Sequence, residues 1–434
     1  MERIYTVEIS AHIGQRVRLA GWLHTLRRMG GINFLVLRDV RGTAQVVVDR
    51  PEALHALDGL LPETVLSVEG TVVAEPQAPG GCEVRQPTFE ILSPVRDAVP
   101  ISLNKPEVRA SLPVFLDHAT VGLRHPARRA LFRLSAGIMA GFRSTLNAHG
   151  FTEIQTPKLV ASATESGANV FAVDYFGRQA YLAQSPQFYK QIMVGVFERV
   201  YEVGPVFRAE PHDTVRHINE YVSLDMEMGF IRDHRDVMAM LSQTVRGIVA
   251  HLRAAFSPEL AALQVKLPEV PAEIPVIYFP EAQELILARH GEDCRGEPDL
   301  APQHERWLGE WAREVHGSDW LFVTGYPMAK RPFYTHPNPA DPRYSNSFDL
   351  LFRGTELVTG GQRLHLYQDY LDSAAGHGYT DLAPFETYLE TFKYGMPPHG
   401  GCAIGLERFV MQLLGLDNIR LGTLFPRDLN RLTP

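Results

Sequence analysis

The stretch from 201 to 230 concentrates side chains that could do chemistry. Two apolar runs with strand-like alternation flank a polar loop at 211–217, so the spacing predicts a long antiparallel hairpin. Arg208 and Glu210 lie two apart near the loop end of the first strand and share a face. Arg216 and His217 stand where the loop turns into the return strand, on which Asp225 and Glu227 alternate with Leu224, Met226 and Met228. One face of the hairpin is therefore charged and the other apolar. Charges of both signs on one sheet face are costly unless a ligand or partner sits there. Gln187 and Lys190, three apart behind Pro186, share a helix face. Asp349 and Glu356 are hard-oxygen donors suited to Mg²⁺, which takes one or two carboxylates plus substrate phosphates. On residue type alone they are equally readable as surface acids, and Lys190 as a solvated lysine. Gly360 and Gly361 permit close backbone approach to a ligand. Arg408, at the start of an apolar helix, is placed to meet a phosphate beside free helix amides. No Gly-x-x-x-x-Gly-Lys or Gly-x-Gly-x-x-Gly run is present, which disfavours P-loop and Rossmann nucleotide sites.

These side chains need a scaffold. At 434 residues the chain exceeds one compact core, and two or three domains are expected. With 45% hydrophobic and 21% charged residues, its composition is that of an ordinary globular protein. No apolar run approaches the ~20 residues that span a bilayer, and no signal-peptide pattern opens the chain, so no membrane role is expected. Cys82, Cys294 and Cys402 are far apart and form no Cys-x-x-Cys, which fits a reducing cytoplasm and indicates neither disulfides nor zinc. A net charge of -8 argues against a general nucleic-acid binder but not against a local basic groove.

Residues 1–95 read as all-β. Runs at 17–24, 32–38, 44–49, 65–73 and 88–92 suggest a five-stranded barrel of the OB type. Residues 96–126 are proline-punctuated and read as an irregular hinge. Leu131, Leu134, Ile138, Phe142 and Leu146 follow at helical spacing over 128–148, with Gly150 as a stop and a strand closed by Pro157. Small residues at 162–167 form a loop able to move over a pocket. No motif is readable between 231 and 321, which reads as an insertion. A second hairpin follows at 348–363, and a glycine-rich strand enters a helix over 395–414.

Phe207-Arg208-Ala209-Glu210, followed by Arg216 and His217, resembles motif 2 of the class II aminoacyl-tRNA synthetases. The helix, strand and proline of 128–157 resemble motif 1, and Gly405-Leu406-Glu407-Arg408 after its glycine-rich strand resembles motif 3. The run Gln184-Ser185-Pro186-Gln187 with Lys190 and Gln191 is similar to a signature of the aspartyl enzymes of subclass IIb. The three motifs occur in order over nearly the whole chain. The 231–321 segment is shorter than the insertion of the long bacterial aspartyl enzymes, so the resemblance is to the compact archaeal type. Ala119 and Gly122 depart from the family pattern in the hinge, where no chemistry is expected.

The resemblance implies an α+β fold: a five-stranded OB-type anticodon-binding barrel at 1–95, then a class II catalytic domain at 127–434 with a mainly antiparallel sheet flanked by helices. It implies ATP-dependent ligation of L-aspartate to tRNA through aspartyl-adenylate, with Mg²⁺, by a cytoplasmic homodimer paired through motif 1. Arg208 is the expected catalytic residue, bridging the substrate carboxylate and the α-phosphate. Glu210, Arg216, His217, Ile218, Glu356, Gly405 and Arg408 would complete the ATP site, and Asp349, Glu356 and Thr359 would organise Mg²⁺. Glu165, Gln187, Lys190, Asp225, Thr359 and Arg363 would join Arg208 in holding aspartate. Among them, Lys190 and Arg363 would grip its side-chain carboxylate, and Glu165 and Asp225 would face its ammonium. Phe34 would stack on the central anticodon base, while Gln45 and Glu83 would bond anticodon edges; from sequence alone Phe34 is also readable as core. Strict compact enzymes tend to carry a tryptophan and a lysine where this chain has His24 and Pro79. That implies weak reading of the third anticodon base and charging of both the aspartate and the asparagine tRNA. The alternatives are a strict aspartyl enzyme, an asparaginyl or lysyl enzyme, and a non-catalytic RNA-binding paralogue. A lysine pocket needs carboxylates where this chain has cations, an asparagine pocket lacks the equivalent of Lys190, and such paralogues typically lose a motif arginine or metal carboxylate.

Overall fold

In the computed structural model the expected all-β segment closes on itself. The structure describes residues 1–434 except Gly31, residues 162–168 and His212. Strands β1 (Arg16–Met29), β2 (Ile32–Arg38), β3 (Thr43–Val48), β4 (Val65–Ala74) and β5 (Cys82–Ser93) form a closed barrel in the order β1-β2-β3-β5-β4. Alternate residues turn inward, and Leu19, Leu23, Leu35, Leu37, Val46, Leu66, Val68 and Val84 make its core. The short helix α1 (Pro51–His55) follows β3. Strand β5 begins six residues before the run at 88–92 because the alternation breaks: its register with β4 shifts opposite Glu69 and Thr71, and Gln86 takes a φ of 53°. Strand β1 also shifts register between Leu23 and Thr25, so His24 sits at a bulge.

The segment expected to be irregular is so only as far as residue 111. It carries helices α2 (Leu112–Asp117) and α3 (Ala119–Gly122), and Ile101, Leu103, Phe115 and Leu116 are buried. Pro113 falls in the first turn of α2, where its missing N–H costs nothing. The departures at Ala119 and Gly122 are packing choices: a Cβ on Gly122 would lie 2.7 Å from the Phe115 ring. This segment belongs to the first compact unit, residues 1–128; the second is residues 129–433.

Helix α4 (Pro126–Ala148) leads into the second unit, and β6 (Thr152–Glu153) follows. A small sheet of β7 (Leu159–Val160), β8 (Ala172–Tyr175) and β9 (Arg178–Leu182), in the order β7-β9-β8, precedes α5 (Gln187–Phe197). Motif 2 is the hairpin of β10 (Arg199–Phe207) and β11 (Glu220–Gly229), from which α6 (His234–Ala255) and α7 (Ser257–Ala262) continue. Then come β12 (Val276–Tyr278), α8 (Phe279–His290), α9 (Pro302–His316) and β13 (Trp320–Thr324). The second expected hairpin is β14 (Ser347–Phe352) with β15 (Thr355–Gln362). Helices α10 (Tyr367–Gly376) and α11 (Glu386–Lys393) precede β16 (His399–Gly405) and α12 (Leu406–Leu414).

Among the described residues these strands make one eight-stranded sheet, β12-β13-β14-β15-β16-β11-β10-β6, antiparallel except for the two outermost pairs. One face is the main core. Leu224, Met226, Phe348, Leu350, Val358 and Ile404 pack there with Leu134, Ile138 and Phe142 of α4, Leu241 and Ile248 of α6, and Phe409 of α12. The 231–321 segment is thus no appendage: α6 covers this core, and β12 and β13 extend the sheet. No helix among the described residues is long and apolar enough to cross a membrane.

Candidate active site

Period-two alternation decides what the other sheet face carries. Because Leu224, Met226 and Met228 enter the core, Ser223, Asp225 and Glu227 point the opposite way. A cavity of about 450 Å³ lies on that side. It is lined by Gln187 and Lys190 of α5, by Arg208, Glu210, Arg216, His217 and Ile218 of the motif 2 loop, and by Glu356, Thr359, Arg363, Gly405 and Arg408. Most of the side chains singled out by the sequence therefore meet in one place. Glu165 lies outside the described residues.

At the floor four buried charges alternate in sign. Lys190 Nζ lies 3.0 Å from Asp225 Oδ1, 3.4 Å from Glu227 Oε2 and 3.4 Å from the Cys402 carbonyl. Arg363 donates from Nε to Glu227 Oε1 at 3.0 Å, and from one terminal nitrogen to Gly401 O at 3.0 Å and Gln187 Oε1 at 3.4 Å. Burial alone would lower the Lys190 pKa, but the Asp225 and Glu227 carboxylates outweigh it and hold the ammonium above its ordinary value. Likewise burial would raise Glu227, and Arg363 with Lys190 keeps it below the usual carboxylate range.

Lys190 and Arg363, both expected to grip the substrate's side-chain carboxylate, differ in how far the protein already engages them. Lys190 already points three contacts at protein, whereas the second terminal nitrogen of Arg363 makes no hydrogen bond within the described residues. Asp225, expected at the substrate ammonium, accepts from Lys190 at 3.0 Å and from the Ser223 hydroxyl at 2.5 Å. Glu227 was visible on the charged strand face but not assigned to the site.

Behind the floor His399 is fully buried. Its Nδ1 faces the Pro397 carbonyl at 2.9 Å, so Nε2 accepts from the Gln191 amide at 3.0 Å, and burial pushes the imidazole pKa down to about 4. Tyr370 and Tyr388 close this network around Gln191.

At the opposite end the motif 2 loop is held from within. Asn219 donates to the Arg208 carbonyl at 2.8 Å and the Glu210 carbonyl at 3.3 Å, while Arg208 N donates to Asn219 O. Arg208 lies over the Tyr221 ring and 3.9 Å from Glu210. His217 Nδ1 is 2.6 Å from the Thr214 hydroxyl. Arg408, in the first turn of α12, donates to the Glu356 carbonyl at 2.9 Å, with its guanidinium 3.6 Å from that residue's carboxylate. Its neighbour Glu407 is buried and receives the Val222 N–H on both oxygens at 3.1 Å; burial pushes its pKa up to about 7.

Asp349 and Glu356 come from paired strands, brought close where β14 and β15 shift register. Thr359 donates to Glu356 Oε1 at 2.9 Å, and Arg331 lies 3.5 Å from Asp349. Burial, aided by the Glu356 charge and opposed by Arg331, pushes Asp349 up to about 7, while Arg408 is the main influence holding Glu356 below its ordinary value against burial. Two neighbouring carboxylates with a hydroxyl between them form an all-oxygen donor set. Residue type fits Mg²⁺, with Arg331 and Arg408 flanking the two acids.

Glu305 is a residue that sequence reasoning missed. It lies on α9, in the segment without a readable motif, and bonds both Arg216 and the Glu356 amide. Arg331 also lines the cavity with no motif to flag it, as do Tyr221 of the motif 2 hairpin and Gln184 of the signature run, neither of which was assigned a role.

In the barrel, Phe34 is half-buried on the outer face between inward Asn33 and Leu35. Gln45 donates to Glu83 at 2.9 Å, and Arg85 holds the other Glu83 oxygen at 2.8 Å, so Glu83 is buried by its neighbours rather than presented outward. His24 Nδ1 lies 3.1 Å from Arg38, whose guanidinium pairs with buried Glu63. Pro79 is exposed in the turn between β4 and β5.

An OB barrel and an antiparallel sheet with three ordered motifs around a charged cavity define a class II synthetase. A family model of the class II tRNA synthetases (D, K and N) matches residues 112–429, and one for an OB-fold nucleic acid binding domain matches 17–92. The chain belongs to this family and, within it, to the aspartate--tRNA ligases. It is 47% identical to the aspartate--tRNA(Asp/Asn) ligase of Thermus thermophilus, over 100% of both chains. It is 46% identical to the protein of the same name from Deinococcus radiodurans, over 100% of this chain and 99% of that one. A solved asparaginyl-tRNA synthetase from Pyrococcus horikoshii, complexed with asparaginyl-adenylate, superposes with a TM-score of 0.93 at 33% identity over 100% of both chains. Backbone architecture therefore does not separate aspartate from asparagine enzymes; side chains must.

Proposed function

We propose that this chain activates L-aspartate with ATP and transfers it to both the aspartate and the asparagine tRNA. The observation carrying the amino-acid assignment is the Lys190–Asp225–Glu227–Arg363 floor, with a terminal guanidinium nitrogen of Arg363 left to receive a carboxylate. The α-carboxylate of aspartate is already ionised near neutral pH, so its attack on the α-phosphate needs no general base. Catalysis then rests on positioning and on compensating charge. Arg208 would bridge the two reacting groups, Glu210 would meet the adenine amino group, and Arg216, His217 and Arg408 would hold the outer phosphates. Asp349, Glu356 and Thr359 would hold Mg²⁺, which supplies compensation for phosphate charge. Glu165 is assigned to the substrate ammonium, Gln187 to the amino-acid pocket, and Ile218 and Gly405 to the nucleotide walls. The adenylate is then captured by a ribose hydroxyl of the terminal adenosine.

For tRNA choice the support is His24 and Pro79 in the barrel, together with relatives named for both tRNAs. Phe34 would stack on a base at ~1–3 kcal/mol. Gln45 would bond a base edge, with Glu83 orienting it. The enzyme would act in the cytoplasm as a homodimer through α4 and β6. Amino-acid-dependent pyrophosphate exchange tests the core of this reading. Aspartate should support exchange and asparagine and lysine should not, and Arg208→Ala should lose on the order of 10²–10³-fold. Equal exchange with asparagine, or near-normal exchange in Arg208→Ala, would overturn it.

A further inference from the structure

We propose that Glu305, on a helix outside all three motifs, is a positioning residue that sets the nucleotide and Mg²⁺ groups in register. One of its oxygens, Oε2, accepts from Arg216 Nη2 at 2.9 Å and from the Glu356 backbone N–H at 2.9 Å. The first donor comes from the motif 2 loop and the second from the start of β15, so a single atom ties two otherwise separate parts of the cavity wall. Glu356 carries the carboxylate that meets Thr359 and Arg408; holding its amide fixes where that carboxylate begins. Arginine has five N–H donors, so one bond to Glu305 orients the Arg216 fork and leaves the others for a phosphate.

The helix that presents Glu305 has little freedom to shift. Gly309, four residues on and therefore on the same face of α9, packs against Gly354 in the β14–β15 turn. A Cβ on Gly309 would collide with the Gly354 Cα and lie 2.6 Å from its nitrogen. Gly354 turns with a φ of +75°, and a Cβ there would lie 3.0 Å from the Arg306 Cα. The two backbones touch one helical turn from the carboxylate. Glycines 309 and 354 thus place Glu305, and Glu305 places Arg216 and Glu356.

A role in stability alone accounts poorly for this residue. Glu305 is buried beside a second carboxylate, Glu356, and a buried ion pair gives little net stability compared with apolar packing. The inference rests on assigning Arg216 to the outer phosphates and Glu356 to Mg²⁺. That reading has its own control in Arg216→Ala.

The test is pyrophosphate exchange by the full-length protein, titrated separately with ATP, Mg²⁺ and aspartate, beside thermal melts. Glu305→Ala should raise the ATP KM and the half-saturating Mg²⁺ tenfold or more, with the aspartate KM within twofold. Glu305→Gln keeps an acceptor for the same two donors and should fold normally, with a threefold or greater rise in both. Gly309→Ala, which displaces α9 without touching the cavity, should repeat the ATP and Mg²⁺ effects. If Glu305→Ala fails to fold, Glu305→Gln decides: ATP and Mg²⁺ dependences within twofold of wild type overturn the proposal. A lower Tm in Glu305→Ala with both dependences unchanged overturns it equally. An unchanged ATP KM in Arg216→Ala overturns the underlying nucleotide assignment instead. A raised one beside normal Glu305 variants defeats only the positioning role.

Discussion

Lys190 directs its ammonium at two carboxylates and a carbonyl, so its removal leaves Asp225 and Glu227 with one guanidinium between them in a dry floor. Breaking one partner out of such a set costs roughly 3–5 kcal/mol. Lys190→Met should lose stability of that order in urea denaturation, as well as aspartate activation, and adding Asp225→Asn should restore a substantial part of the stability. Loss of activation at unchanged stability would mean that Lys190 answers to substrate alone. Glu407 gives a pH signature. Its pKa is pushed from 4.5 up to about 7, so the folded state favours the protonated acid. The stability it contributes is complete below pH 4.5 and is lost as pH rises through about 7, a change of about 3 kcal/mol. Glu407→Gln should flatten that part of the stability profile between pH 5 and 8. Parallel profiles for variant and wild type would refute the assignment.

At the scale of elements, strand β16 owes its place between β15 and β11 to glycine. A Cβ on Gly401 would collide with Met226 O and with Glu227 Oε2, the oxygen facing Lys190. The strand can therefore lie close enough for its carbonyl to hold Arg363 only because position 401 has no side chain. Gly401→Ala should cost about 1–3 kcal/mol through overpacking. It should also raise the aspartate KM at least tenfold while the ATP KM changes little. Equal effects on both substrates would show that the strand serves the whole cavity rather than its floor.

At the scale of the molecule, tRNA choice is proposed to belong to the barrel. The two tRNAs differ in the third anticodon base, C against U, and on that reading a histidine at the β1 bulge with a proline in the β4–β5 turn would offer that base no charged donor beyond what Arg38 supplies through His24. Purified transcripts of both tRNAs should be charged within a hundredfold of each other, under about 2.7 kcal/mol of discrimination. His24→Trp with Pro79→Lys should depress charging of the asparagine tRNA at least tenfold and leave the aspartate tRNA nearly unchanged. Strong discrimination by the wild type would restore the strict reading.

Periodicity and motif residues determined what is local. The alternation through β11 separated Leu224, Met226 and Met228 from Asp225 and Glu227, and helical spacing marked α4. Arg208, Glu210, Arg216, Gln187 and Arg408 were legible because their types and spacings sit within single strands, loops or helices, whereas Lys190 was legible only through the family signature it stands in. Strand β5 was half legible, since Gln86 breaks its period. Segment 231–321 was opaque because α6 and α9 are positioned by what they pack against, not by a motif. Only the tertiary structure could show that Lys190 is already paired, since its partners stand 35 and 37 positions away on another element. Glu305 was beyond reach for the same reason. Its bonds span 89 and 51 positions, and nothing local to α9 distinguishes an acid held by a distant backbone amide from one facing water.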